Sequence, residues 1–167
     1  EVRALAGGTD LIDQLKSDRR NADLVVDLKK IPELQGIRME SDGLHIGAVC
    51  SCSDVRDNTI IKDVYRGLGD ASGLIGSIQI QNRAAIGGNV CNAAPSADST
   101  PTLMVHDAKA LVAGQSGTRI VELSDFFVGP GQTILKKGEL LQELILPKPA
   151  PKSASAYLRF IPRNEMD

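Results

Sequence analysis

An α+β fold, built as one compact unit or as two small lobes sharing a ligand, is what this sequence predicts, and three observations carry that expectation. The first residues run strand, glycine turn, helix, strand, the pattern of a unit with two parallel strands. Two later stretches carry hairpin signatures, which make antiparallel pairs. Helix-type segments lie between them, and 167 residues suffice to bury a normal core while leaving no room for more than two domains.

Taken in order, Val2, Leu5 and Ala6 supply a first short strand that breaks at Gly7-Gly8. Thr9 or Asp10 caps the helix that Leu11, Ile12 and Leu15 mark by their spacing. The β-rich run Leu24-Val25-Val26-Asp27-Leu28 is the second strand, and the intervening helix points its N-terminus at the sheet end where anions bind. After Pro32, runs at 36–40 and 44–49 flank Ser41-Asp42-Gly43, turn residues that tolerate positive φ; His45 is expected to face outward as a surface strand residue. Ser53-Asp54 precede a helical segment through Ile60, Ile61 and Val64, residues 68–74 are expected to be helical, and Pro101 suits a first helical turn. Residues 108–113 and 119–123 pair across the turn at 114–117. Ser124-Asp125-Phe126-Phe127 begins a short helix or turn, Gly129-Pro130-Gly131 is a loop, and 140–146 is a buried strand stopped by Pro147. The proline-rich stretch 147–151 reads as a stiff linker, after which 155–161 resumes as a strand.

Composition narrows the function classes. A net charge of −2, 3% aromatic residues and no Trp leave no basic surplus for a phosphate backbone and no stacking platform, so nucleic-acid binding is not expected. Three cysteines without a CxxC pair, and no signal-type or membrane-spanning run, point to a reducing, cytoplasmic setting. Cys50-Ser51-Cys52 lacks the further ligands of a four-coordinate site, so these cysteines are read as structural and no metal site is expected. The chain starts without Met and stops within a polar stretch, so a fragment of a longer polypeptide is expected.

The glycine pairs are the strongest local signals. Gly7-Gly8 and Gly87-Gly88 each follow an apolar run and precede hydroxyl or amide residues. Paired glycines in such places rarely serve packing, and they let an anionic ligand touch the backbone. Oriented amides at 7–9 and 87–89 can hold a diphosphate without a lysine, although either pair alone also fits a plain tight turn. Neither Gly-x4-Gly-Lys-Ser/Thr nor Gly-x-Gly-x-x-Gly occurs. No Gly-x-Ser-x-Gly elbow is present, and His45 and His106 lie in unrelated contexts, so no catalytic set is expected.

Ala6-Gly7-Gly8-Thr9-Asp10-Leu11, together with Ile80-Gln81-Asn82-Arg83-Ala84-Ala85-Ile86-Gly87-Gly88-Asn89-Val90-Cys91-Asn92-Ala93-Ala94-Pro95-Ser96-Ala97-Asp98, resembles the flavin subunit of the molybdenum hydroxylases. That family includes the FAD domain of xanthine dehydrogenase and the medium subunit of aerobic carbon monoxide dehydrogenase. The likeness continues in order through Ala108-Lys109-Ala110, Phe126-Phe127-Val128-Gly129-Pro130-Gly131, Glu139-Leu140-Leu141 and Ser155-Ala156-Tyr157-Leu158-Arg159.

The resemblance implies a two-lobed FAD-binding fold of the vanillyl-alcohol-oxidase (PCMH) type, with a small βαβ lobe and a larger lobe of antiparallel sheet flanked by helices. The expected divisions are 1–50, 51–150, and a linker at 151–167 that starts a further C-terminal subdomain. Leu5, Ala6, Gly7, Gly8, Thr9, Asp10 and Leu11 would form the first diphosphate loop. Ala85, Ile86, Gly87, Gly88 and Asn89 would form the second. Asn92 and Asp98 would hydrogen-bond near the ribityl and diphosphate parts, Leu141 would lie against the flavin ring, and Arg159 would stand close to it. Ile75 replaces an aromatic residue of xanthine dehydrogenase, Ala85 a frequent Ser or Thr, and Arg159 the Lys of some relatives. By the same resemblance the chain would pass electrons from iron–sulfur clusters through FAD to NAD, oxygen or another acceptor, with molybdopterin on a large partner subunit and 2Fe–2S clusters on a small one. A molybdenum-independent flavoprotein of the same fold and a non-catalytic nucleotide-binding module are the other readings.

Overall fold

The computed structural model describes residues 1–161. Its first unit is the expected one: β1 (Val2–Leu5) and β2 (Leu24–Asp27) pair in parallel, with α1 (Leu11–Lys16) between them in sequence. Asp10 occupies the N-cap position of α1, but its carboxylate makes no capping bond. Thr9 makes none either; its hydroxyl is directed at Asp10.

A short 3-10 turn, Pro32–Leu34, leads to the hairpin β3 (Ile37–Met39) and β4 (Gly43–Gly47). A helical layer follows: α2 (Cys52–Asp57), α3 (Thr59–Val64), α4 (Arg66–Ser72), α5 (Ile78–Gln81), α6 (Ile86–Asn92) and α7 (Ser99–Val105). The chain then returns to the sheet through β5 (Lys109–Gly114) and β6 (Gly117–Glu122), passes α8 (Leu123–Phe126) and the small hairpin β7 (Phe127–Gly129) and β8 (Gln132–Thr133), and finishes with β9 (Leu140–Pro147). The large sheet has the order β3-β4-β9-β5-β6 with antiparallel neighbours throughout. β9, the last of the described strands in sequence, lies at its centre. β3 and β4 hydrogen-bond into this sheet, so they belong with the larger lobe and not with β1 and β2 in a 1–50 unit.

Alternation in the strands places the core. Leu44 and Ile46 of β4, Leu144 and Leu146 of β9, and Ala110 and Val112 of β5 turn to one face and pack on Val55, Ile61, Leu68, Ile86, Val90 and Leu103 of the helices. Tyr65 is wholly buried between the layers, and its hydroxyl donates to the carbonyls of Leu146 and Pro147. No helix among the described residues is long and apolar enough to cross a membrane.

Three expectations are corrected here. His45 is buried, 7% exposed, because its ring lies between Glu143 of β9 and Asp42 of the hairpin turn. Within the stretch 85–89, expected as the second diphosphate loop, residues 86–89 are instead the first turn of α6, which forms because Ile86 and Val90, one turn apart, both enter the core. Residues 155–161 form no strand: the extended segment turns Ser155, Tyr157 and Arg159 inward and leaves Leu158 and Phe160 exposed, without a partner strand among the described residues. Residues 162–167 of the expected C-terminal stretch lie outside the described residues.

Candidate functional site

β1 ends at Leu5, and the chain must reverse within a few residues to enter α1. Gly8 makes that possible with φ +80°, a conformation costly for residues with a side chain. Through the turn and into α1, none of the backbone N–H groups of residues 6–11 donates a hydrogen bond to a described residue. The first N–H group to find an acceptor is that of Ile12, which donates to Gly8 at 3.1 Å. Such a row of unsatisfied amides on a curved backbone is an anion-binding arrangement.

The facing wall is the first turn of α6, which Ala85 enters in extended conformation at the N-cap position. The N–H of Ile86 donates to Cys50 and that of Gly87 to Ala48, whereas the N–H of Gly88 has no acceptor among the described residues. Glycine serves different purposes at these positions. A Cβ on Gly7 would lie 2.1 Å from the Arg83 carbonyl oxygen, and one on Gly87 would lie 2.6 Å from the Cβ of Ala48. These two glycines let backbones touch, so they do serve packing, contrary to the expectation. A Cβ on Gly88 would meet only Ala6 and Ala85 at 3.6 and 3.7 Å, so space and not packing is what glycine provides there.

Between these walls lies a cleft of about 640 Å³, within the usual range for small-molecule sites. Of the expected site residues, the structure brings Ala6, Gly7, Gly8, Thr9, Asp10, Leu11, Ala85, Gly87, Gly88, Asn89, Asn92 and Leu141 together on its lining. Leu5, Ile86, Asp98 and Arg159 are not on it. Ile86 points into the core. Asp98 accepts a hydrogen bond from Tyr157 Oη (2.7 Å) and lies 3.6 Å from Arg159 Nε, while Arg159 Nη1 donates to the Leu74 carbonyl.

Residues that the sequence reading missed complete the wall. Gln14 Nε2 donates to Asn92 Oδ1 (3.3 Å), a hydrogen bond that ties α1 to α6 across the two lobes. Its signal was present, since Asp10, Leu11 and Gln14 recur at helical spacing on one face of α1. Arg3 and Arg20 add positive charge, and Ile80, Leu135 and Leu140 add aliphatic surface. Glu139 is also on the lining; the Arg119 guanidinium hydrogen-bonded to it lowers its carboxyl to about 2. Cys91 lines the cleft with its thiol pushed up to about 12 by burial, so it stays protonated. Ile75 lines the cleft as well.

Chemically, the wall offers open backbone amides, side-chain amides and aliphatic groups, with no histidine on the lining. That inventory suits holding a large ligand with an anionic middle and a flat apolar part. The residues therefore fit a dinucleotide such as FAD: the unsatisfied amides are donors for its phosphates, and the bare Cα of Gly88 leaves room for them.

The comparisons with known proteins agree with this inventory. The family described as the FAD binding domain in molybdopterin dehydrogenase matches residues 1–149. The chain is 33% identical to the nicotinate dehydrogenase FAD-subunit of Eubacterium barkeri over 165 residues, which is 97% of this chain and 56% of that protein. It is 35% identical to the xanthine dehydrogenase FAD-binding subunit of Escherichia coli O157:H7, over 100% of this chain and 58% of that one. A solved carbon monoxide dehydrogenase from Hydrogenophaga pseudoflava, lacking the Mo-pyranopterin moiety of its molybdenum cofactor, superposes with a TM-score of 0.87 at 31% identity, covering 90% of this chain and 52% of the other. The chain thus spans a little more than half the length of these relatives.

Proposed function

The chain belongs to the family of FAD-binding domains of the molybdopterin dehydrogenases, and from that premise we propose that its cleft holds FAD as the electron outlet of a molybdenum hydroxylase. FAD, when bound, supplies the acceptance and release of electrons. In this reading the electrons come from iron–sulfur clusters on a small partner subunit, fed by molybdopterin on a large one, and leave to NAD, oxygen or another acceptor.

The chain's own residues bind and orient. The amides of residues 6–11 receive one side of the diphosphate and that of Gly88 the other, so that fixed dipoles replace the water an anion would otherwise need. Ala85 and Gly87 set the backbone path of the second wall, Asn89 and Asn92 offer side-chain amides, and Leu141 would give the flavin ring an aliphatic surface. Leu5, Ile86, Asp98 and Arg159 act from behind the lining: the first two anchor the walls in place, and the Asp98–Tyr157–Arg159 group fastens the segment after β9. The observation that carries the proposal is the unbroken row of open amides at 6–11.

Binding of FAD and of riboflavin to flavin-free protein tests it. Riboflavin lacks the diphosphate and the adenosine, so FAD is expected to bind at least about 100-fold more tightly, given about 1.5–3 kcal/mol for each charge-assisted hydrogen bond. Equal affinities would place the binding energy elsewhere.

A further inference from the structure

Most arginine side chains of this molecule have carboxylate partners: Arg3 pairs with Glu1, Arg19 with Asp13 and Arg119 with Glu139. Among the described residues only Arg20 and Arg83 have neither an ion pair nor a side-chain hydrogen bond. Arg83 is exposed, where water serves it. Arg20 is half-buried and lines the cleft. A guanidinium stays charged in proteins and carries five N–H donors, so drawing it away from water without a partner is unfavourable. A partner outside the protein is what such a group lacks.

The turn after α1 puts it there. α1 ends at Lys16, and Asp18 takes the left-handed conformation at φ +55°, which aspartate tolerates better than most residues. The chain folds back on the helix, so that the N–H groups of Arg19 and Arg20 both donate to the Gln14 carbonyl, at 2.9 and 3.2 Å. Arg19 stays at the surface with Asp13, whereas Arg20 joins Gln14 on the cleft wall. The Gln14 N–H in turn donates to the Asp10 carbonyl at 2.9 Å, so one helical turn, about 5.4 Å, separates the anchor of Arg20 from the row of open amides. An extended arginine side chain spans that distance. The other charges of this lining are already met: Glu1 holds Arg3, Arg119 holds Glu139, and Asp10 is exposed to solvent that screens it.

We propose that Arg20 is a further cofactor-binding residue, whose guanidinium pairs with the diphosphate of FAD from the side of the small lobe. The inference rests on FAD being the ligand of the cleft. Backbone amides supply only partial charges, and Arg20 adds a full one to oppose the phosphates. The planar fork of arginine meets two phosphate oxygens at once and is more weakly hydrated than an ammonium.

Titration of flavin-free Arg20→Gln protein with FAD and with riboflavin, followed by flavin fluorescence, tests the proposal. FAD should bind about tenfold or more weakly than to the parent, riboflavin should bind both proteins alike, and added NaCl should weaken FAD binding less steeply in the variant. Arg20→Lys should recover part of the loss, since it restores the charge without the fork. The urea midpoint of Arg20→Gln should match the parent's, because no partner within the described protein is lost. An FAD affinity equal to the parent's, or riboflavin weakened as much as FAD, would overturn the assignment. A parent that binds FAD and riboflavin equally would remove the diphosphate from the cleft altogether, and Arg20 with it; a parent that prefers FAD, beside an Arg20→Gln protein that prefers it as strongly, would remove Arg20 alone.

Discussion

Gly7 and Gly88 stand on opposite walls of one cleft and require glycine for opposite reasons. At Gly7 the missing Cβ is occupied by the Arg83 backbone, and at Gly87 by Ala48, whereas at Gly88 nothing closer than an ordinary contact is present. Gly7→Ala and Gly87→Ala are therefore expected to destabilise the fold by roughly 1–3 kcal/mol or more, the cost of overpacking against a neighbour that cannot retreat. Gly88→Ala should stay within about 0.5 kcal/mol of the parent, and denaturant midpoints of the three variants compare them directly. The sequence marked all four glycines, but their roles depend on Arg83 and Ala48, which the fold brings to them from distant positions. His45 was misjudged for the same reason: its partner Glu143 is 98 positions away, and local alternation says only which face a residue takes.

At the level of elements, hairpins were the most legible, because Ser41-Asp42-Gly43 and the glycines at 114 and 117 state their turns locally. α6 was not legible, since each of two glycines in a helix costs about 1 kcal/mol against Ala and the compensation comes from burying Ile86 and Val90. Residues 155–161 alternate like a strand, but alternation cannot supply the neighbour that a strand needs. Cys50-Ser51-Cys52 drew attention for its sulfurs, while the structural signal was the residue between them. The Ser51 hydroxyl accepts from the Asp54 N–H and the Asp54 side chain accepts from the Ser51 N–H, a reciprocal cap on α2. Ser51→Ala should cost about 1 kcal/mol, measurable by thermal unfolding, with Ser51→Thr close to the parent.

For the whole molecule, the βαβ unit and the sheet-and-helix layer meet along the cleft, joined by contacts such as Gln14 with Asn92 and Gly7 with Arg83. The family resemblance gave this two-lobed plan, yet the central place of β9 could not be read, since strand order is set by long-range pairing and not by sequence order. One acid-sensitive tie belongs to this scale. Glu139 joins the loop before β9 to Arg119 of β6, and its carboxyl is lowered from 4.5 to about 2. A lowered carboxyl contributes stability above its ordinary value and loses it as pH falls toward the folded value. The parent should thus lose stability between pH 4.5 and about 2 more steeply than Glu139→Gln, as compared by urea unfolding across that window.

If open backbone amides on two facing walls hold the diphosphate of FAD, Gly88→Val is the variant that should block it, because this position touches the cleft without supporting the core. Flavin bound per protein, read from visible absorbance with circular dichroism as the check on folding, is the measurement. A folded, colourless Gly88→Val protein beside a yellow parent is expected; a folded variant that binds FAD as tightly as the parent would mean that the diphosphate does not rest on these walls.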